Sequence, residues 1–372
     1  RRFAHLQRRA LRPSRSFGSS DRGPRSLEKR GSAKDCLYNE RMTADKSRRL
    51  FLRHSVAAVI ALPGLVMAQA PGGTRRVALL LTSNPAATSH VLKALVDGLA
   101  ELGWVEGRNL RLDIRYAGGD AGRYRPLATE LLGLKPDVFA AGIEQAAREA
   151  AALTKSVPII FVLGFDPAGS GLVQSLARPG GNVTGLSIMI TELIPKRLQL
   201  LKEAVPALTR VALMYSMGQP DADRLLKSLA GPARTLGLAI IPSEVRDADG
   251  IEQAFEQVVQ QKAGGFILVG DGFTYQHRIR IMEFAIKHGL ACATSAIEYA
   301  AVGALFSYGA NFAAMYRRSA TLIDKILKGA KPANLPVEQA NVYDMVVNLK
   351  TARQLGITLP RSFLLQATQT VE

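Results

Sequence analysis

Two short apolar runs recur along this chain with nearly the same residues: Arg76-Val77-Ala78-Leu79-Leu80-Leu81-Thr82-Ser83 and Arg210-Val211-Ala212-Leu213-Met214-Tyr215-Ser216. Each stops at hydroxyl residues and a proline, Pro85 or Pro220, and a stretch with helical spacing follows. A continuous apolar run bounded by turn residues suits a strand buried on both faces, the first strand of a parallel α/β unit. Used twice, it predicts two similar lobes, with function between them where both strands end.

The pattern around these runs is strand then helix, repeatedly. Apolar positions at helical spacing (Val91, Leu92, Leu95, Leu99) predict a helix over 88–102, closed by Gly103 as a left-handed C-cap. Residues 109–116 alternate Leu110, Leu112 and Ile114 with charges, which reads as a strand with one wet face. Helices are expected over 123–134, 144–154 and 166–176, and strands over 137–141 and 158–163. A glycine-rich break over 178–185 then leads through a strand at 186–190 into the second lobe. That lobe repeats the scheme with strands at 210–215, 239–245 and 265–269 and helices at 222–236, 251–261 and 276–288. The pairs Leu102-Gly103, Leu236-Gly237, His288-Gly289 and Leu355-Gly356 each end a helix. Such alternation specifies parallel sheets flanked by helices. Residues 303–307 read as a strand returning to the first lobe, followed by a helix over 312–328. Residues 334–338 cross again, and 345–356 end in the second lobe. The expected division is 75–185 plus 300–335 for lobe 1 and 186–299 plus 336–372 for lobe 2, joined by a three-stranded hinge.

Composition changes this picture only at the N-terminus. The chain has 372 residues, 47% hydrophobic and 21% charged, enough for two lobes with proper cores. Of the formal charge of +17, +11 belongs to residues 1–70, so the body carries little of the basic excess that nucleic-acid binding needs. Residues 1–41 read as a basic disordered arm or an upstream extension foreign to the mature protein. Residues 42–70 read as an export signal. Ser47-Arg48-Arg49-Leu50-Phe51-Leu52-Arg53 resembles the twin-arginine motif, the segment 55–67 is uncharged, and Ala68-Gln69-Ala70 has the form of a cleavage site. Export to the periplasm follows from this reading; an uncleaved anchor is its alternative. Cys36 and Cys292 are the two cysteines, and Cys292 reads as a small core residue.

Enzyme chemistry finds little support. His90, His277 and His288 show no metal-ligand spacing, and neither GxSxG nor GxGxxG follows a strand. No catalytic residue, cofactor or metal is expected. The sequon Asn182-Val183-Thr184 reads as chance.

The body resembles the tryptophan-type substrate-binding proteins of ABC transporters. The resemblance rests on Leu102-Gly-Trp-Val-Glu-Gly-Arg-Asn109, Phe165-Asp-Pro167, Leu176-Ala-Arg-Pro-Gly-Gly-Asn-Val-Thr-Gly185, Arg197-Leu-Gln-Leu-Leu-Lys-Glu203, Ile326-Leu-Lys-Gly-Ala-Lys-Pro332, Val347-Asn-Leu-Lys350 and Leu355-Gly-Ile357. It implies the type I periplasmic binding fold and a small solute, in some members an aromatic amino acid. It also implies a partner permease at the inner membrane and no catalytic residue. A monomer is expected. Ile143-Glu144-Gln145 and Gly270-Asp271-Gly272-Phe273-Thr274 depart from the family's pattern.

In open α/β sheets, ligands bind beyond the carboxyl ends of the strands, near helix N-termini. In the first lobe this selects Thr82, Ser83, Asn84, Glu144, Gln145, Phe165 and Asp166. In the second it selects Tyr215, Ser216, Asp271, Phe273, Ser295 and Glu298, with Ser187 and Tyr308 on hinge strands. Structural roles compete at each position. Asp166 before Pro167 and Ser83-Asn84-Pro85 also suit helix caps, and Asp271 and Glu298 suit either a ligand amine or a cap. Phe165, Tyr215, Phe273 and Tyr308 suit either core packing or an aromatic cradle for a planar ligand. The expected function is solute capture by hinge closure on behalf of an importer. The alternative is a sensing module that signals to a membrane partner.

Overall fold

The structure, a computed structural model, describes residues 73–217, 219 and 222–372. The expected basic arm and export signal lie outside the described residues. In the first half the elements are β1 (Arg75–Leu81), α1 (Pro85–Glu101), β2 (Leu110–Tyr116), α2 (Tyr124–Gly133), β3 (Val138–Ala141), α3 (Glu144–Leu153), β4 (Ile159–Gly164) and β5 (Val183–Ser187). There follow α4 (Ile190–Ala204), β6 (Arg210–Ser216), α5 (Ala222–Thr235), β7 (Ala239–Val245), α6 (Gly250–Gln260), β8 (Gly265–Leu268), α7 (Gly272–Gln276), α8 (Arg278–Lys287) and β9 (Ala291–Thr294). The chain ends with α9 (Ile297–Ala300), β10 (Phe306–Ala310), α10 (Phe312–Leu327), β11 (Glu338–Gln339), β12 (Tyr343–Asn348), α11 (Leu349–Gln354), α12 (Arg361–Leu364) and β13 (Gln369–Val371).

The strands form two sheets. One has the order β11-β5-β4-β3-β1-β2 and is parallel throughout. The other has the order β13-β12-β10-β9-β8-β6-β7, with β10 and β12 its antiparallel pair. The repeated apolar runs are β1 and β6. Val77–Leu81 and Val211–Met214 are fully buried, as strands covered by helices on both faces must be. Each run has the next strand on one side and the strand after that on the other, so the winding reverses beside it. That reversal opens a crevice beyond the strand ends. Gly103, Gly237, Gly289 and Gly356 all have left-handed φ, between 64° and 90°, as expected of helix-ending glycines.

Three segments differ from the pattern-based expectation. Residues 166–176 form turns instead of a helix: Gly169 N–H donates to the Asp166 carboxylate (2.9 Å), and Gly171 has φ +74°. Residues 190–204 form a helix, α4, although Pro195 lies within it and Met189 before it has φ 51°. Finally, the strand expected at 303–307 in the first lobe is β10, which pairs with β9 and β12 in the second sheet. Phe306 holds it there by packing edge-on against Phe363 of α12, with centroids 5.3 Å apart. The chain re-enters the first lobe only at α10, which lies along α1. A Cβ at Gly98 of α1 would stand 2.9 Å from the Arg317 carbonyl oxygen, so glycine permits the close approach.

The chain passes between the sheets three times, after β5, after β10 and after β11. The passages are stitched together: Ala340 N–H donates to Ser187 O (2.9 Å) and Asn311 N–H to Val342 O (3.0 Å). Beside them Arg197 of α4 is fully buried, its Nε donating to Tyr308 O at 2.7 Å, and burial pulls its pKa down to about 10. Cys292 is buried, and desolvation raises its thiol pKa. Among the described residues no helix is long and apolar enough to cross a membrane.

Leu79→Ala, at the centre of β1, is expected to cost about 2–5 kcal/mol. Leu112→Ala, on the half-buried β2, should cost clearly less, and urea denaturation of the two variants measures the difference.

Candidate functional site

Asp271 follows β8 and starts α7. Its Oδ1 accepts from Thr274 N–H (2.8 Å), and its own N–H donates to Thr274 Oγ1 (2.9 Å), a reciprocal cap. Ser216, at the end of β6, donates its hydroxyl to the other carboxylate oxygen. Burial raises the Asp271 pKa above the ordinary carboxylate value, and the bonds from Ser216, Thr274 and the Phe273 backbone oppose that rise without cancelling it.

Asp271 borders two spaces. Toward the hinge lies an inner cavity of about 50 Å³. Its aromatic walls are Phe165 from the end of β4, Tyr275 from α7, Tyr299 from α9, and Phe312 and Tyr316 from α10. Ile188 and Ile190 close the hinge side, and Thr82, Thr88 and Ser295 supply hydroxyls. On the other side lies an outer cleft of about 590 Å³, walled by residues 118–122, by Gln145 and Arg148 of α3, and by Arg246 and Phe273.

Between the two spaces the sheets' loops touch. A Cβ at Gly272 would lie 2.8 Å from the Tyr124 hydroxyl and 3.3 Å from Thr82 Cβ. A Cβ at Gly119 would lie 2.7 Å from Gln276 Cβ and 3.0 Å from Gly272 O. Polar bonds span the same divide. Gln276 Oε1 accepts from Ser83 Oγ (2.7 Å) and Asn84 Nδ2 (3.0 Å), and Gln145 Nε2 donates to Gln219 Oε1 (2.9 Å). Tyr275 OH donates to Ala87 O (3.2 Å). Asp166 pairs with Arg224, and His90 Nε2 lies 2.6 Å from Glu298 Oε1. The cleft is closed.

The residues selected from sequence fall into three groups. Thr82, Phe165, Asp271 and Ser295 line the inner cavity. Ser83, Asn84, Gln145, Asp166, Ser216, Phe273 and Glu298 lie on the closing contacts or the outer cleft. The rest are turned to internal work. Glu144 is buried with its Oε2 accepting from Phe165 N–H (2.7 Å) and Asp166 N–H (3.0 Å), so it organises the turn after β4 and does not line the cavity. Ser187 Oγ accepts from Met189 N–H at 3.2 Å, Tyr215 pairs across from Glu244, and Tyr308 stacks on Tyr343. Of the four aromatics expected to form a cradle, Phe165 alone reaches the inner cavity. Tyr275, Tyr299, Phe312 and Tyr316 escaped the strand-end rule because they sit on helices. The Phe312/Tyr316 spacing of four at the start of α10 places both on one helix face, and that was the available signal.

Residues 77–371 match the family described as ABC transporter substrate binding protein. The chain belongs to that family. The substrate-binding protein is 24% identical over 265 residues to a tyrosine-binding protein of Clostridioides difficile (strain R20291), covering 71% of this chain and 76% of the relative. Among solved structures it is similar to a conserved domain protein from Vibrio cholerae (28% identity, TM-score 0.75). It is also similar to an ABC domain from Streptococcus pneumonia in complex with L-Trp (25% identity, TM-score 0.74). Each of these two covers 80% of this chain and 100% of its own.

Because the Asp271 pKa is raised in the folded protein, its contribution to stability is present below the ordinary carboxylate value and lost as pH rises through the folded value. Asp271→Asn of the substrate-binding protein is therefore expected to melt higher than the parent at pH 7, with the gain shrinking toward pH 4. Thermal melts across that range check it. Gly272→Val should hold the lobes apart, and a larger scattering radius than the parent's is the expected reading.

Proposed function

We propose that the protein is the extracytoplasmic receptor of an ABC importer, which captures a small aromatic or amino-acid-like solute and presents it to an inner-membrane permease as a monomer. The observation that carries this reading is the aromatic-walled cavity at the meeting of the two sheets, with walls from both. The relatives named for tyrosine binding and crystallised with L-Trp support the same solute class. Thr82, Phe165, Asp271 and Ser295 contact the solute in this reading. Ser83, Asn84, Gln145, Asp166, Ser216, Phe273 and Glu298 close the lobes around it by hinge bending. The cavity, about 50 Å³ in this closed form, is below the roughly 150 Å³ that holds a benzene ring, so its aromatic walls must move apart to admit the solute. Export by the twin-arginine route, with cleavage near Ala70, belongs to the same proposal.

A thermal-shift panel of amino acids, aromatic acids and aromatic amines is expected to contain at least one compound that raises the melting temperature. Phe165→Ala with Tyr316→Ala should abolish that shift. A panel without any shift overturns the reading.

A further inference from the structure

We propose that the outer cleft is a second binding site, shared by the two lobes, for the carboxylate of a small organic acid. The site is separate from the inner cavity and needs only the closed loops around it. Two buried donors that belong to residues of this cleft have no acceptor among the described residues. One is Nε2 of Gln219, a residue 6% exposed that follows β6; the other is Nε of Arg148, on α3. They come from opposite lobes and are brought together by Gln145. Its Nε2 donates to Gln219 Oε1 at 2.9 Å, and it lies three residues before Arg148 on one helix face. Buried donors without acceptors are costly, and one oxyanion would satisfy both.

The charges around these donors favour an anion. Arg148 donates an Nη2 hydrogen to Glu144 Oε1 (3.0 Å), but that carboxylate also accepts from Ser170 Oγ (2.5 Å) and from the Phe165 and Asp166 N–H groups. Glu144 thus takes up one of the five N–H donors of the guanidinium. Arg246 is exposed in the same cleft and has no partner among the described residues. The start of α3 adds its positive end, because Ile143 at the cap offers no side-chain acceptor.

The acids lining the cleft are turned to other donors. Asp120 accepts from Gly122 N–H (2.8 Å), and Asp247 from Gly250 N–H (2.7 Å). Glu149 pairs with Arg125 (3.2 Å), and Asp271 is bonded to Ser216 and Thr274. Desolvation and Arg280 lower the pKa of His277, which leaves it neutral at pH 7.

A cleft of about 590 Å³ has room for far more than an inorganic ion. Phe273 and Met217, the latter 59% exposed, supply apolar surface there for the carbon part of an acid. Such a ligand bridges Arg148 of the first lobe to Gln219 and Arg246 of the second, and so favours the closed form.

Isothermal titration with benzoate, succinate and inorganic phosphate, at an ionic strength fixed with sodium chloride, tests the site. Benzoate or succinate is expected to bind. Gln219→Glu sets a like charge against the ligand and should abolish that binding. Arg246→Gln, at an exposed and unpaired position, should weaken it severalfold. Both variants are expected to keep the parent's circular-dichroism spectrum; if Gln219→Glu does not, Arg246→Gln decides alone. Binding that neither variant changes overturns the location. Phosphate bound more tightly than either acid overturns the organic-acid assignment. If none of the three binds, the second site falls, and a compound that shifts the melting temperature in the panel above still leaves the receptor reading standing.

Discussion

Everything across the cleft depends on how closely two stretches of backbone approach one another, at Gly119 in the first lobe and Gly272 in the second. Neither position has room for a side chain: the space a Cβ would fill is taken by Gln276, Thr82 or the Tyr124 hydroxyl. That approach brings Ser83 and Asn84 within bonding distance of Gln276 and separates the inner cavity from the outer cleft. A parallel sheet ends in helix starts and short loops, which are the segments able to come this near. The duplicated strand thus contributes by aiming its loop, while its own residues remain in the core.

Electrostatics inside the cleft follow from self-satisfaction. Strand ends in an α/β sheet expose N–H groups, and here the chain answers many of them with its own acids and amides. Glu144 serves the turn after β4, Asn84 serves α1, and Asp271 serves α7. Each such bond removes a place where a ligand's oxygen could dock. What remains at the inner cavity is apolar surface, hydroxyls and a carboxylate that burial has made reluctant to ionise.

Much of the architecture was legible because its determinants are local. Five consecutive apolar residues in β1, helix-ending glycines and alternation in β2 each have one physical reading. The segments misread were those in which distant partners decide. Phe306 belongs to the second sheet because Phe363, far along the chain, packs against it. Residues 166–176 begin like a helix, with Asp166 accepting from Gly169 N–H as a cap does and Pro167 behind it, but the glycines at 169 and 171, the latter at φ +74°, turn the chain away. In the cleft, the strand-end rule placed Thr82, Phe165, Asp271 and Ser295 at the cavity. It could not anticipate that Glu144 would be spent on neighbouring backbone, since a buried acid's partners are set by the fold. Nor could it find Tyr316, whose position depends on α10 returning to lie beside α1.

The polar contacts that close the lobes have a kinetic consequence. His90 with Glu298, Asp166 with Arg224, and Gln145 with Gln219 are contacts between protein groups at the rim. Each adds to the free energy of the closed form beside whatever a solute contributes, so together they weight the balance between open and closed lobes. Release then depends on how often all of these bonds let go together. Rim residues far from the bound molecule would govern the tempo of loading, and the aromatic walls the strength of holding.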